Sequence, residues 1–455
     1  MKQSPAQNQS SLPLSVDVAY GWMGFSLALL GIPLYLYLPS YFFENWGVSL
    51  TAVGLALMVT RLLDMLTDPI IGRLSDKFAT QGISKVWQMF VGAMILLIGL
   101  DALFFPDESL LSQSPMLYIT FWSFITFLGW TLVAVPYQAL AAEITPDAHE
   151  KTRLTLFREG FSILGVVLAL SLPFVLSVAP TDPFVFDWIW LLVFFGIILA
   201  LIAQVLQVKP YVDQRTKSFS PSLKSSVLKK LWRDQRWSFS VMPAYFLNSL
   251  GNAFPATLFL LFVSHALLLE EYAGLFLMVY FLSGMLVLPV WFWLSKKIGK
   301  YAAWQCSMAF AIIGFIGIFA VSAGDFYGYL IICVLTGMSL GADIALPSSI
   351  QADIVQKLSE ERDEISGILF GVWGMLTKMA LALAVGIALP LLEWLGLKQG
   401  DQLAINTLWF FYAVAPILLK VVSFYLVSRE RGNCLRTSTL LWALFRHQMV
   451  NKKDC

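Results

Sequence analysis

The chain has 455 residues, 58% of them hydrophobic and only 13% charged, with a formal net charge of +1 and a mean hydropathy of +0.73. Soluble domains carry about 25% charged residues, so the composition excludes an ordinary soluble protein and predicts an all-α integral membrane protein. The near-neutral total gives no reason to expect an acidic partner, and a nucleic-acid partner is not expected.

A helix needs roughly 20 apolar residues to cross a bilayer. Hydrophobic runs separated by short polar turns predict twelve such spans, at 18–43, 48–74, 85–105, 115–143, 155–178, 185–207, 239–265, 272–295, 301–322, 327–355, 366–392 and 402–428. Two six-helix halves follow, 1–207 and 239–428, joined by a hydrophilic linker at 208–238 and followed by a tail at 429–455. Nearly all Lys and Arg fall at the termini or in loops after even-numbered spans, and Lys398 lies on the opposite side. The positive-inside rule then predicts that both termini are cytoplasmic. The expected location is the cell membrane, multi-pass, which in a bacterium is the inner membrane. Met1–Ser15 lacks the basic region and cleavage site of a signal peptide, so the first span is expected in the mature protein.

The first span opens near Asp17 and carries Tyr20 with Gly21, Gly24 and Gly31, small residues that let membrane helices approach closely. The second holds Arg61, Asp64 and Asp68 within an apolar run. Residues three and four apart share a helix face, so the three charges form one polar stripe. Each charge inside a membrane costs about 2.5–3.5 kcal/mol by insertion scales, and such groups are turned inward and functional by default. A cation or a proton can be held there; an ion-paired packing contact is the alternative. The span ends at Gly72, Asp76 and Lys77, a charged turn at the cytoplasmic edge.

In the fourth span Pro136 removes a backbone donor and frees the carbonyl of Leu132, beside Tyr137 and Gln138, with Glu143 at the end. Arg158 opens the fifth. The linker carries Lys224, Lys229, Lys230, Arg233 and Arg236 and reads partly as an amphipathic helix on anionic lipid headgroups. In the second half, Asn248 and Asn252 are one turn apart in the seventh span, Asp343 lies in the tenth, and Lys378 sits in mid-eleventh, near Trp373 and Thr377, which are one turn apart. Lys378 is too deep to snorkel easily. It therefore needs an acidic partner, Asp64 or Asp68, or must lose its proton. A weak repeat relates the halves: Pro69–Lys77 is echoed by Pro289–Lys297, and Val135-Pro136 with Glu143 by Leu346-Pro347 with Asp353. Duplicated transporters carry such echoes.

Four cysteines (Cys306, Cys333, Cys434 and Cys455) are placed for free thiols rather than an extracytoplasmic disulfide. Three loop or tail histidines, His149, His265 and His447, form no metal-ligand or nucleophile pattern. Neither an enzyme, nor a metal centre, nor a cofactor is expected.

Together, R-x-x-D-x-x-x-D-P-x-x-G at Arg61–Gly72, V-P-Y-x-A-L-x-x-E at Val135–Glu143 and the glycine-to-lysine spacing of Gly371 and Lys378 resemble the glycoside-pentoside-hexuronide:cation symporters, the melibiose permease-like branch of the major facilitator superfamily. The likeness runs from Tyr20 to about Ser428. It implies a major facilitator fold, alternating access, and solute uptake driven by Na⁺, Li⁺ or H⁺. It also implies coupling roles for Asp64, Asp68, Arg61 and Lys378, and a sugar-side position for Arg158. The sequence departs from the sugar-binding pattern: Leu27-Ala28 stands where a first-helix carboxylate is expected, Ala134 where a fourth-helix aspartate is expected, and Gln138 where a stacking tryptophan is expected. Without those acceptors, a galactoside's hydroxyls would be desolvated unpaired.

The expectation is a monomeric secondary transporter whose partners are a small solute, a coupling ion and membrane lipid. Coupling is assigned to Asp64, Asp68, Arg61 and Lys378; solute contacts to Tyr20, Tyr137, Gln138, Arg158, Asn248, Asn252, Trp373 and Thr377; gating to Gly72, Asp76, Lys77, Glu143 and Asp353. A sugar or glycoside is the first solute class. A lysolipid or other amphiphile is the second, and a non-transporting scaffold or sensor is the third reading.

Overall fold

The computed structural model describes residues 12–145, 148–210, 241–359 and 366–429. Among them, twelve helices are long and apolar enough to cross a membrane. They are α1 (Leu14–Asn45), α2 (Leu50–Ala79), α3 (Lys85–Phe104), α4 (Pro115–Leu140), α5 (Arg153–Leu176) and α6 (Pro183–Val208), then α7 (Val241–Ala266), α8 (Glu270–Ile298), α9 (Lys300–Ala320), α10 (Phe326–Gln351), α11 (Val372–Trp394) and α12 (Gln402–Arg429). Each matches one predicted span, because a helix satisfies every backbone group within its own segment and hydrocarbon tolerates little else. Most of the linker and the tail lie outside the described residues.

Two features bend this plan without breaking it. In α1, Pro33 has no N–H to donate, and the helix widens into a π turn over Pro33–Tyr37 before continuing. Pro136 in α4 and Pro347 in α10, the paired prolines of the sequence repeat, both sit inside continuous helices.

By their contacts the helices fall into two units, Met1–Val48 with Leu66–Phe219, and Ser49–Met65 with Ser220–Cys455. In the first, α1 packs on α5 and α6, and α3 packs on α4. In the second, α7 packs on α11, α9 on α10, and α8 on α10. The pairs α1–α5 and α3–α4 thus recur as α7–α11 and α9–α10, an offset of six helices that gives the sequence repeat a structural counterpart. Small residues set the α1–α5 spacing: a Cβ at Gly24 would lie 2.9 Å from the Arg158 carbonyl oxygen.

Ser49–Met65, the first part of α2, groups with the second unit because it lies along α11. From one end to the other, the Thr51 amide donates to Glu393 Oε2 at 2.7 Å, Gly54 faces Leu389 and Pro390, Met58 faces Gly386, and Asp64 meets Lys378. As the α2 number rises the α11 number falls in step, which is an antiparallel seam running about 20 Å at 1.5 Å per residue. Glycine makes it possible. A Cβ at Gly54 would stand 2.9 Å from the Val385 carbonyl oxygen and 3.0 Å from Leu389 and Pro390 side-chain atoms. Ser49 Oγ accepts from the Ala52 amide at 3.1 Å, so this hydroxyl and Glu393 together cap the start of α2.

Replacing Gly54 by Leu should therefore overpack the seam and cost about 1–3 kcal/mol, read as a lower midpoint of thermal unfolding in detergent. Gly160→Ala, at a helical glycine whose added Cβ would meet nothing within 4 Å, should leave the midpoint unchanged or raise it.

Candidate functional site

Helix α2 sorts its residues by polarity. Arg61 and Asp64 are each 4% exposed, whereas Leu66 and Ile70 on the other face are 56% and 61% exposed. The inward stripe expected from the spacing is thus formed. Asp64 Oδ2 meets Lys378 Nζ at 2.9 Å and the Arg61 guanidinium at 4.0 Å. Of the two aspartates proposed as partner for Lys378, Asp64 makes this contact. Asp68, half-buried, accepts from Thr131 Oγ1 at 3.2 Å.

Electrostatically, this is a carboxylate with two cations about it in a medium of low dielectric. At an effective dielectric of about 20, unit charges 4 Å apart attract by about 4 kcal/mol, and the 2.9 Å hydrogen-bonded pair is closer still. Lys378 keeps 23% of its side chain exposed.

The second unit holds another charge pair, and it is fully enclosed. Lys420 on α12, with no exposed surface, donates to Asp343 Oδ2 at 2.9 Å and to Asn248 Oδ1 at 2.8 Å. Asp343 also accepts from Asn252 Nδ2 at 3.0 Å and from Trp304 Nε1 at 3.1 Å. Asn248 and Asn252, expected as solute contacts, are thereby engaged with a charge network. Lys420 was visible in the sequence as a charge within a span but given no role. The rule that flagged Lys378 flags it equally.

Several other expected solute contacts are also occupied. Tyr137 donates to the Tyr20 carbonyl at 2.7 Å, Tyr20 donates to the Tyr137 carbonyl at 3.4 Å, and their rings lie 4.7 Å apart. This reciprocal pair fixes α1 to α4. Arg158 pairs with its neighbour Glu159 at 2.6 Å, and Gln138 is exposed. Trp373 does not present an open platform: it is buried in the second unit's core among Val241, Trp304 and Leu346, and Tyr245 stacks on it with centroids 4.3 Å apart. The Tyr245 hydroxyl lies 2.7 Å from Thr377 Oγ1. Sequence reasoning passed over Tyr245, although it lies three residues before Asn248 on the same face of α7.

Of the gating candidates, Gly72 is half-buried, a Cβ added there would meet Val135 at 4.0 Å, and Lys77 is exposed. The side chains of Asp76, Glu143 and Asp353 lie outside those described. A further polar cluster at the start of α1 was not anticipated. Asp17, fully buried, pairs with Arg153 at 2.9 Å, while Arg153 and Glu150 bind the Leu12 carbonyl and amide at 2.6 and 2.9 Å.

Over residues 19–430 the sequence matches the family described as MFS/sugar transport protein. The chain belongs to that family. The match agrees with the symporter motifs on α2, α4 and α11, and the family is one of transporters rather than enzymes. The putative glycoside/cation symporter YagG of Escherichia coli is 22% identical over 429 residues, covering 91% of each chain. The sodium-dependent lysophosphatidylcholine symporter 1-A of Danio rerio is 20% identical over 460 residues, covering 92% of this chain and 86% of that one. An uncharacterized symporter of Synechocystis is 29% identical over 184 residues, and that alignment spans 34% of the relative's length. Among solved structures, the nucleoside transporter NupG superposes with a TM-score of 0.68 at 14% identity, covering 91% of this chain and 98% of that one. A bacterial homologue of ferroportin gives 0.65 at 13% identity. The fold is that of the major facilitator superfamily.

A double-mutant cycle of Asp64→Asn and Lys378→Met, followed by unfolding in detergent, should return a coupling energy of about 1–3 kcal/mol. Either single change should destabilise more than the pair of changes together, because each alone strands a charge.

Proposed function

We propose that the protein is a secondary active symporter, driven by Na⁺ or H⁺ and working by alternating access, with Asp64 and Asp68 as the coupling carboxylates. The Asp64–Lys378 ion pair at 2.9 Å within a membrane span carries this reading. An ion pair kept in hydrocarbon is expensive, and its partners differ in exposure: the Lys378 side chain is 23% exposed and that of Asp64 4%. A cation or proton arriving at Asp64 weakens its hold on Lys378 and Arg61, which shifts the balance between arrangements of the halves 1–207 and 239–428. Gly72, Asp76, Lys77, Glu143 and Asp353 are the proposed gating positions. The protein acts as a monomer in the cell membrane, with both termini cytoplasmic.

The family points to a sugar or glycoside as solute. A second reading, a lysolipid or similar amphiphile, draws support from the hydrogen bonds already made. The hydroxyls and amides of Tyr20, Tyr137, Asn248, Asn252 and Thr377 have protein partners, and the carboxylates of the sugar pattern are replaced by Leu27, Ala28 and Ala134. Few free acceptors remain among the assigned residues for a polyhydroxylated solute.

In membrane vesicles, Asp64→Asn and Asp68→Asn, each at wild-type expression, are expected to abolish ion-driven accumulation of the solute while retaining part of its exchange. Accumulation unaffected by either change would remove the coupling assignment. An uptake screen of sugars, glycosides and lysolipids under imposed Na⁺ or H⁺ gradients separates the solute readings, with galactosides expected to be poor substrates.

A further inference from the structure

The two lysine–aspartate pairs of the second unit share one nitrogen–oxygen distance, 2.9 Å, and differ in access. Lys378 is 23% exposed; Lys420 has no exposed surface at all. The surroundings of Asp343 differ as well. Its carboxylate is held by two neutral donors, Asn252 Nδ2 on one oxygen and Trp304 Nε1 on the other, while Asn248 turns its amide oxygen to the same point as Asp343 Oδ2. Neutral N–H groups orient a carboxylate but do not cancel its charge. One positive charge is needed where the oxygens of Asp343 and Asn248 converge, and the Lys420 ammonium supplies it.

We infer that Asp343 and Asn248, oriented by Asn252 and Trp304, form a monovalent-cation pocket that Lys420 fills permanently with a tethered ammonium. The site is built from α7, α9, α10 and α12 and shares no residue with the contacts of Asp64 and Asp68. Its natural occupant is covalent, so the second unit has a cation that never has to be collected from solution. Take the tether away and the pocket accepts a free ion of ammonium's class: NH₄⁺, K⁺ or Na⁺. A salt bridge serving packing alone makes the opposite prediction, since an apolar replacement of both partners is then as good as the pair and no ion substitutes for the lysine.

The test needs no transport, so its failure is distinguishable from failure of the symport reading. Purified full-length Lys420→Ala and Lys420→Met proteins are unfolded thermally in detergent in ammonium, potassium, sodium or choline chloride at equal ionic strength. Choline, too large for a space vacated by one ammonium, is the reference. Both variants are expected to melt several degrees below wild type in choline. At least one small cation should restore the midpoint saturably, as a ligand that binds only the folded state does. Wild type and the charge-free pair Asp343→Asn with Lys420→Met should show no such selective rise. If neither single variant responds to ammonium, potassium or sodium beyond its response to choline, or if the charge-free pair responds equally, the pocket assignment falls. Single variants as stable as wild type in choline would overturn it too.

Discussion

Charge in hydrocarbon has to be answered by charge. This constraint organises the interior of the protein more than apolar packing does, because lipid tails are as apolar as leucine and give helices little reason to prefer one another. Asp64 shows the consequence. Its position deep in α2 requires a cation, Lys378 provides it at 2.9 Å, and that contact sets the register in which α2 lies along α11. The glycines at 54 and 386 let the backbones come close enough for the pair to form, and Glu393 closes the far end of the seam by capping α2. A single electrostatic requirement thus accounts for the rotation of two helices and the small residues along their seam.

Helix α2 belongs by its contacts to both units, and the division falls between Met65 and Leu66. The two aspartates proposed for coupling, Asp64 and Asp68, therefore stand on opposite sides of it. Asp64 is engaged with Lys378 and Arg61, Asp68 with Thr131. Being one turn apart on a continuous helix, they are linked through backbone hydrogen bonds rather than through a loop.

Much of this was legible in the chain itself. Twelve apolar runs became twelve helices, since length and composition leave hydrocarbon-spanning segments little alternative. The inward face of Arg61 and Asp64 followed from spacing, and a carboxylate partner for Lys378 followed from the cost of leaving it alone. What spacing could not give was the choice of partner. Lys378 selects Asp64, and Lys420 selects Asp343 and Asn248, according to the rotation of each helix about its axis, and that is fixed by packing across helices distant in sequence. Tyr245 was missed for the same reason: nothing in its neighbourhood along the chain says that Trp373 and Thr377, more than a hundred residues on, will stack on it and bond to it. The π turn after Pro33 was equally unreadable, because a proline in a membrane helix is compatible with a kink, a widened turn or neither.

Several of the polar residues first assigned to solute are already satisfied within the protein. Tyr20 and Tyr137 close a reciprocal pair, while Asn248 and Asn252 hold Lys420 and Asp343. To bind a solute, each would first have to break an internal bond, and a buried polar group left unpaired costs about 1–3 kcal/mol. A solute offering many hydroxyls would regain that energy only by pairing with every group it disturbs. A solute that presents one polar head and a long apolar body asks for fewer exchanges. The more completely an interior satisfies itself, the more it favours cargo whose affinity comes from burying apolar surface, and in this chain Asn248 and Asn252 are satisfied by the Lys420–Asp343 pair itself.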